Sequence, residues 1–137
     1  MWRLSGIERD VYLYSTPKQY IADYKVTSIL EKNTYKDGVF ELDVTVEGAA
    51  AGIATIAYEL QNEAGKTVLN GSQPVKSRGL SNLITFDEKR IPDVEKWSAE
   101  HPNLYTLILE LKDANGKVTE VTGTKVGFRT SEIKDGR

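Results

Sequence analysis

The apolar residues of this chain recur at every second position. From Val39 to Glu47, Phe40, Leu42, Val44 and Val46 fall on one side, while Glu41, Asp43, Thr45 and Glu47 fall on the other. A buried helix stripe repeats every 3.6 residues, so a period of two specifies a strand with one face on a core and one in water. Ile56, Tyr58 and Leu60 repeat the pattern, with Thr55, Glu59 and Gln61 outward. Between Leu104 and Lys112, Tyr105, Leu107, Leu109 and Leu111 share a face, and Ile108 makes the reverse face partly apolar, as in a central strand. Weaker runs at Tyr24 to Leu30, Lys66 to Asn70, Leu83 to Asp87 and Lys117 to Val126 bring the count to about seven short strands. The prediction is an all-β, immunoglobulin-like β-sandwich of about seven antiparallel strands.

Turn chemistry separates the runs. Lys36-Asp37-Gly38, Glu63-Ala64-Gly65-Lys66 and Asp113-Ala114-Asn115-Gly116 each place Gly where a tight connection needs positive φ. The last two join adjacent alternating runs, which should therefore pair antiparallel. Pro92 to Trp97 suits one helical turn and no more. Asn70-Gly71-Ser72 matches a glycosylation sequon and reads as a hairpin turn. No internal repeat or low-complexity tract stands out. Gly6 to Ser15 carries a strand-like run that Thr16-Pro17 breaks, and Ile133 to Arg137 resumes a strand-and-turn signal. Both flanks read as belonging to neighbours.

With 137 residues the chain is sized for one core. Its 18 basic and 20 acidic residues are scattered, so no basic stripe invites nucleic acid or anionic lipid. No apolar run approaches the ~20 residues of a membrane span, and Met1 to Gly6 lacks a signal-peptide layout; a soluble, unprocessed chain is expected. The absence of cysteine excludes disulfides, thiolate metal sites and thiol nucleophiles.

The remaining chemistry is thin. A serine triad needs a histidine base, and the one histidine, His101, lies in the loop Ser98-Ala99-Glu100-His101-Pro102, where an exposed residue is expected. Asp87-Glu88 and Asp93 with Glu95 are the closest acidic groups, in a charged connection with Lys89, Arg90 and Lys96 that suggests solvated ion pairs. No spacing selects the facing carboxylates of glycoside hydrolysis. Gly48-Ala49-Ala50-Ala51-Gly52 does not continue into a phosphate cradle. Trp97 and Tyr105 could stack on a sugar, but Tyr105 opens the strongest strand, where sandwiches place a tyrosine whose hydroxyl bonds nearby backbone. Core and corner roles are expected, with Trp97→Ala costing about 3 to 5 kcal/mol.

Three motifs in order carry a family resemblance. Trp2-Arg3-Leu4-Ser5-Gly6-Ile7 with Arg9-Asp10-Val11-Tyr12-Leu13 resembles the end of the jelly-roll domain of family 2 glycoside hydrolases, the bacterial β-galactosidases above all. Trp97-Ser98-Ala99-Glu100 with Pro102-Asn103-Leu104-Tyr105, and then Val126-Gly127-Phe128-Arg129, are similar to segments of the immunoglobulin-like domain that follows. Glu8 is a small departure, since relatives often carry an aromatic there. The resemblance implies three parts: 1–18, the tail of the jelly roll; 19–129, the sandwich; and 130–137, a lead-in to an absent (β/α)8 barrel.

The resemblance further implies a non-catalytic spacer of a β-galactosidase-like enzyme, the family's catalytic glutamates lying in the barrel. No catalytic, cofactor-binding or metal-binding residue is assigned to this chain, and no cofactor. Its expected partners are the flanking jelly-roll and barrel domains. A subunit interface at about Gly71 to Leu80, with Gln73, Lys76, Ser77 and Arg78 as contacts, is also implied. The compartment is the cytoplasm or periplasm of a bacterium. A stand-alone carbohydrate-binding module, a small free enzyme and the same domain from a β-glucuronidase-like parent are the competing readings.

Overall fold

The computed structural model describes residues 6–7, 9–48, 52–76 and 79–132. Seven strands form in chain order: β1 (Gln19–Leu30), β2 (Gly38–Gly48), β3 (Ala54–Gln61), β4 (Thr67–Val75), β5 (Ser81–Ile91), β6 (Tyr105–Lys112) and β7 (Val118–Val126). They make two antiparallel sheets, ordered β1-β2-β5 and β4-β3-β6-β7. The two sheets face each other as an immunoglobulin-like sandwich, as the alternating rows require.

The core is where those rows meet. Phe40, Leu42, Val44 and Val46 of β2 oppose Ile56, Tyr58, Leu60, Leu107, Leu109 and Leu111 of the second sheet, all almost fully buried. Each such side chain contributes about 1.5 to 3 kcal/mol by leaving water. Tyr58 stands at the centre, its ring 5.6 Å from Phe40 and 4.9 Å, edge-on, from Phe86.

The second sheet contains an internal repeat, which corrects the sequence-based expectation of none. Hairpin β3-β4, from Ala54 to Val75, corresponds position by position to hairpin β6-β7, from Tyr105 to Val126. The end residues pair with each other in both, and each ladder slips at the same place, between Leu60 and Gln61 or between Leu111 and Lys112. Tyr58 pairs with Leu109, its own counterpart, and Thr55 opposite Lys112 is matched by Thr106 opposite Gln61. A local two-fold axis through the Tyr58–Leu109 pair therefore relates the hairpins. Thr55/Thr106, Glu59/Glu110, Leu60/Leu111, Gly65/Gly116, Lys66/Lys117 and Val75/Val126 are identical. The turns share one design: Asn62 Oδ1 accepts the Lys66 N–H at 2.9 Å, and Asp113 Oδ1 the Lys117 N–H at 3.0 Å. Gly65 (φ 75°) and Gly116 (φ 79°) complete them.

Several sequence expectations change. Asn70-Gly71-Ser72 is no turn but the middle of β4, where Gly71 lies against Tyr58: a Cβ there would sit 2.6 Å from the ring. β4 runs on through Pro74, tolerated because β4 is an edge strand. Asp87 to Arg90 are not a connection either; they are exposed residues of β5, another edge, where charge deters strand addition. In the β1–β2 connection the left-handed residue is Tyr35 (φ 53°), and Gly38 serves packing instead, since a Cβ would approach Phe128 to 2.8 Å. The described residues between Gly6 and Ser15 form no strand, and Val11, Tyr12, Leu13 and Tyr14 are exposed. Pro92 to Trp97 makes a turn and no helix, as expected.

One polar side chain ties each pair of facing sheet edges. Gln73 Nε2 donates to the Thr85 carbonyl at 2.9 Å, joining β4 to β5. Glu120 accepts the Ile21 N–H at 2.8 Å, joining β7 to β1 beside the bulge between Ile21 and Asp23. Each satisfies a backbone group that has no ladder partner.

Candidate functional site

Two of the motifs that sequence reasoning singled out, the one with Trp97 and Tyr105 and the one from Val126 to Arg129, meet at the end of the sandwich where the chain leaves. Tyr105 is buried at the start of β6, and its hydroxyl accepts the Glu95 N–H at 3.1 Å, the corner role expected of it. Burial pushes its phenol above the usual range, and the Glu95 N–H pulls it partly back.

Trp97 is a correction. It is half-buried, and Val94, 4% exposed, takes the core position in that loop. The indole packs on Gly127, where a Cβ would lie 3.0 Å from it, and the Arg129 guanidinium stacks on its ring at 4.9 Å. Spacing to the next strand does not say which loop residue turns inward.

Around this stack the segment after β7 is held from two sides. Phe128 is fully buried edge-on to Tyr105, and its carbonyl accepts the Trp97 N–H at 3.0 Å. On the other side Ser28 Oγ donates to the Gly127 carbonyl at 2.9 Å, and the Leu30 N–H donates to Thr130 Oγ1 at 2.9 Å. At the leading end the fastening stops at Gly48, whose φ of 94° and lack of Cβ let the Lys18 carbonyl approach. β1, with 12 residues, carries the chain from that end to the exit, a span of ~40 Å.

The candidates for chemistry are not brought together. His101 is exposed, and its own N–H, not its imidazole, meets Ser98 Oγ at 3.0 Å. Asp87 and Glu88 are on β5, while Asp93 and Glu95 are on the loop after it, all exposed. Among the described residues no three or more His, Asp or Glu gather as metal ligands would. A depression of about 400 Å³ lies between β4 and β5 beside Gln73, Lys76, Ser81 and Thr85, and among the described residues no acid or histidine lines it.

A smaller depression, about 280 Å³, lies on the outer face of the second sheet and does hold two acids, Glu59 and Glu110. Glycoside hydrolysis needs one carboxyl to keep its proton. Hydrogen bonds from Thr67 and Gln61 instead hold Glu59 below the usual carboxylate range, and Glu110 is 2.9 Å from the Lys112 ammonium. One acid is thus held by hydrogen bonds and the other by an ion pair. In the Gly71 to Leu80 segment, Ser77 and Arg78 lie outside the described residues, as do Ala49 to Ala51 of the small-residue run.

Comparison with known proteins identifies the lineage. The model of Glycosyl hydrolases family 2 matches residues 19–129. The β-galactosidase of Priestia megaterium is 42% identical over 98% of this chain, and that of Streptococcus thermophilus 39% over 98%. The chain spans only 13% and 12% of those two relatives. Among solved structures, a β-glucuronidase from Parabacteroides merdae has a TM-score of 0.71 at 21% identity, over 87% of this chain and 14% of its own. A Bacteroides uniformis β-glucuronidase 2 variant reaches 0.73 at 11% identity, over 82% of this chain and 15% of its own. At those identities the likeness is one of fold. A match over nearly all of the sandwich, with relatives this similar along the whole chain, means that the protein belongs to family 2 of the glycosyl hydrolases.

Proposed function

We propose that this chain is a non-catalytic spacer of a β-galactosidase-like enzyme that hydrolyses terminal β-galactosides. In this reading residues 1–18 close a preceding jelly roll, 19–129 are the spacer, and 130–137 lead into a (β/α)8 barrel. The observation that carries it is mechanical: the chain enters at one end of the sandwich and leaves at the other, through a segment fastened by β1 and by the Trp97 loop. Such a body holds its neighbours at a fixed separation, which keeps groups on one in register with a site on the other. The relatives' identities favour a galactosidase parent over a glucuronidase one. In this reading the segment from about Gly71 to Leu80, where the chain crosses from β4 in one sheet to β5 in the other, meets a neighbouring subunit.

The test uses the purified chain. A chromogenic galactoside should be hydrolysed no faster than in buffer, titration with galactosides should give no saturable signal, and melting should be cooperative. Turnover would make the chain a small enzyme, and saturable binding would make it a sugar-binding module; either overturns the proposal.

A further inference from the structure

The chain holds two Asn-Gly dipeptides, Asn70-Gly71 and Asn115-Gly116, and the structure treats them in opposite ways. Both asparagines are exposed, so access does not separate them. Backbone freedom does. Gly71 is held in the ladder opposite Tyr58 and against its ring, while Gly116 sits in the β6–β7 turn with nothing within 4 Å of a Cβ position. Its N–H makes one turn bond, to the Asp113 carbonyl at 2.9 Å in open solvent. Among the described residues the Asn115 side-chain amide has no hydrogen bond of its own.

We propose that Asn115 is a site of spontaneous deamidation, and that Asn70 is protected by its strand. The Gly116 amide nitrogen gives up its proton to solvent and attacks Asn115 Cγ. A C–N bond forms, the Cγ–Nδ2 bond breaks, and the side-chain nitrogen leaves as ammonia with a proton taken from water. The resulting succinimide adds one water across either imide bond and opens to aspartate or to isoaspartate. No oxidant or cofactor enters. Attack needs the peptide plane between the two residues to swing toward the side chain. A solvated turn opens locally at little cost, whereas the β4 ladder must break to permit it. Isoaspartate carries the main chain through the side-chain carbon, and a turn lengthened in this way loses the match between the Gly116 and Lys117 N–H groups and Asp113. The modification therefore loosens the β6–β7 hairpin and adds one negative charge.

The internal repeat supplies the control. The counterpart of Asn115 in the β3–β4 turn is Ala64, so the same turn forms without asparagine. The whole chain is incubated at mildly alkaline pH and digested, and the two peptides are followed by mass. The Asn115 peptide should gain about one mass unit, with Asn70 slower by more than about tenfold. In concentrated urea the two rates should converge. Asn115→Ala should abolish the fast event and melt like the parent. Equal rates in the folded chain, the same ratio in urea, or a fast event surviving Asn115→Ala would each overturn the assignment. The rate ratio is read on the unaltered chain, so it stands whatever the variant does to folding.

Discussion

Tyr58 and Gly71 should behave as one unit, replaceable together and not singly. Gly71→Thr alone places a Cβ 2.6 Å from Tyr58 Cε1 and 3.3 Å from Cζ, against the ~3.5 to 4.0 Å at which carbon atoms attract. The ring cannot step aside, because Phe40 and Phe86 hold it at 5.6 and 4.9 Å. Overpacking of this kind costs about 1 to 3 kcal/mol, only partly offset by the ~0.5 to 1 kcal/mol gained on removing a strand glycine. Tyr58→Leu alone empties space between the sheets and should cost about 2 to 4 kcal/mol.

The repeat already contains the other solution: the counterparts of Tyr58 and Gly71 are Leu109 and Thr122, paired in the same register. The double variant Tyr58→Leu with Gly71→Thr copies that pair across the two-fold axis. It should therefore be more stable than the sum of the single losses by roughly 1 to 3 kcal/mol. Urea unfolding of the four proteins, extrapolated linearly, measures the coupling. Additivity within about 0.5 kcal/mol would refute the claim that the two hairpins solve one packing problem in two ways.

Two further outcomes test the exit end and the β1–β2 connection. Trp97→Ala should cost about 1 to 2 kcal/mol, roughly half the figure for a buried indole, and should couple to Arg129→Ala by about 0.5 to 1 kcal/mol in a double-mutant cycle. A loss above about 3 kcal/mol would return the ring to the core. Glu31 accepts the Thr34 and Asn33 N–H groups, both at 2.9 Å, which hold its carboxyl below the usual range. A carboxyl depressed on folding stabilises the fold above its unfolded value of about 4.3, and that stabilisation is lost as pH falls through the folded value. The stability gap between the parent and Glu31→Gln should thus be widest near neutrality and close on acidification; a gap that stays constant with pH would reject the assignment.

What the sequence revealed depended on whether one face of a strand alone decides its residues. β2, β3 and β6 lie inside their sheets, and their rows from Phe40, Ile56 and Tyr105 predicted both strand and buried face. Edge strands answer to other demands. The Asp87 to Arg90 half of β5 spends its side chains on charge, and the second half of β4 carries Gly71 and Pro74, so the runs read at Leu83 to Asp87 and Lys66 to Asn70 stop short of the strands' ends.

The repeat was hidden for the same reason. The central strands and turns of the two hairpins keep their identities, but β4 meets β5 through Gln73 while β7 meets β1 through Glu120, and the edges have diverged to suit. Tyr105 was legible because its role is local to the strand it opens. Trp97 was not, because burial in the Pro92 to Leu104 loop depends on Phe128 and Gly127, which come from far along the chain.

The contacts between β1 and the last part of the chain follow a single order: Ile21 meets Glu120, Ser28 meets Gly127 and Leu30 meets Thr130. The first and last strands thus lie side by side and point the same way, so that the chain enters β1 and leaves β7 at opposite poles. A pull along the chain on both sides would load the cross-links in shear, all at once, where a hairpin arrangement would part bond by bond. A single molecule stretched from its ends should accordingly yield in one abrupt event, and Thr130→Ala, which removes a rung at the far end of that row, should lower the force at which it gives way.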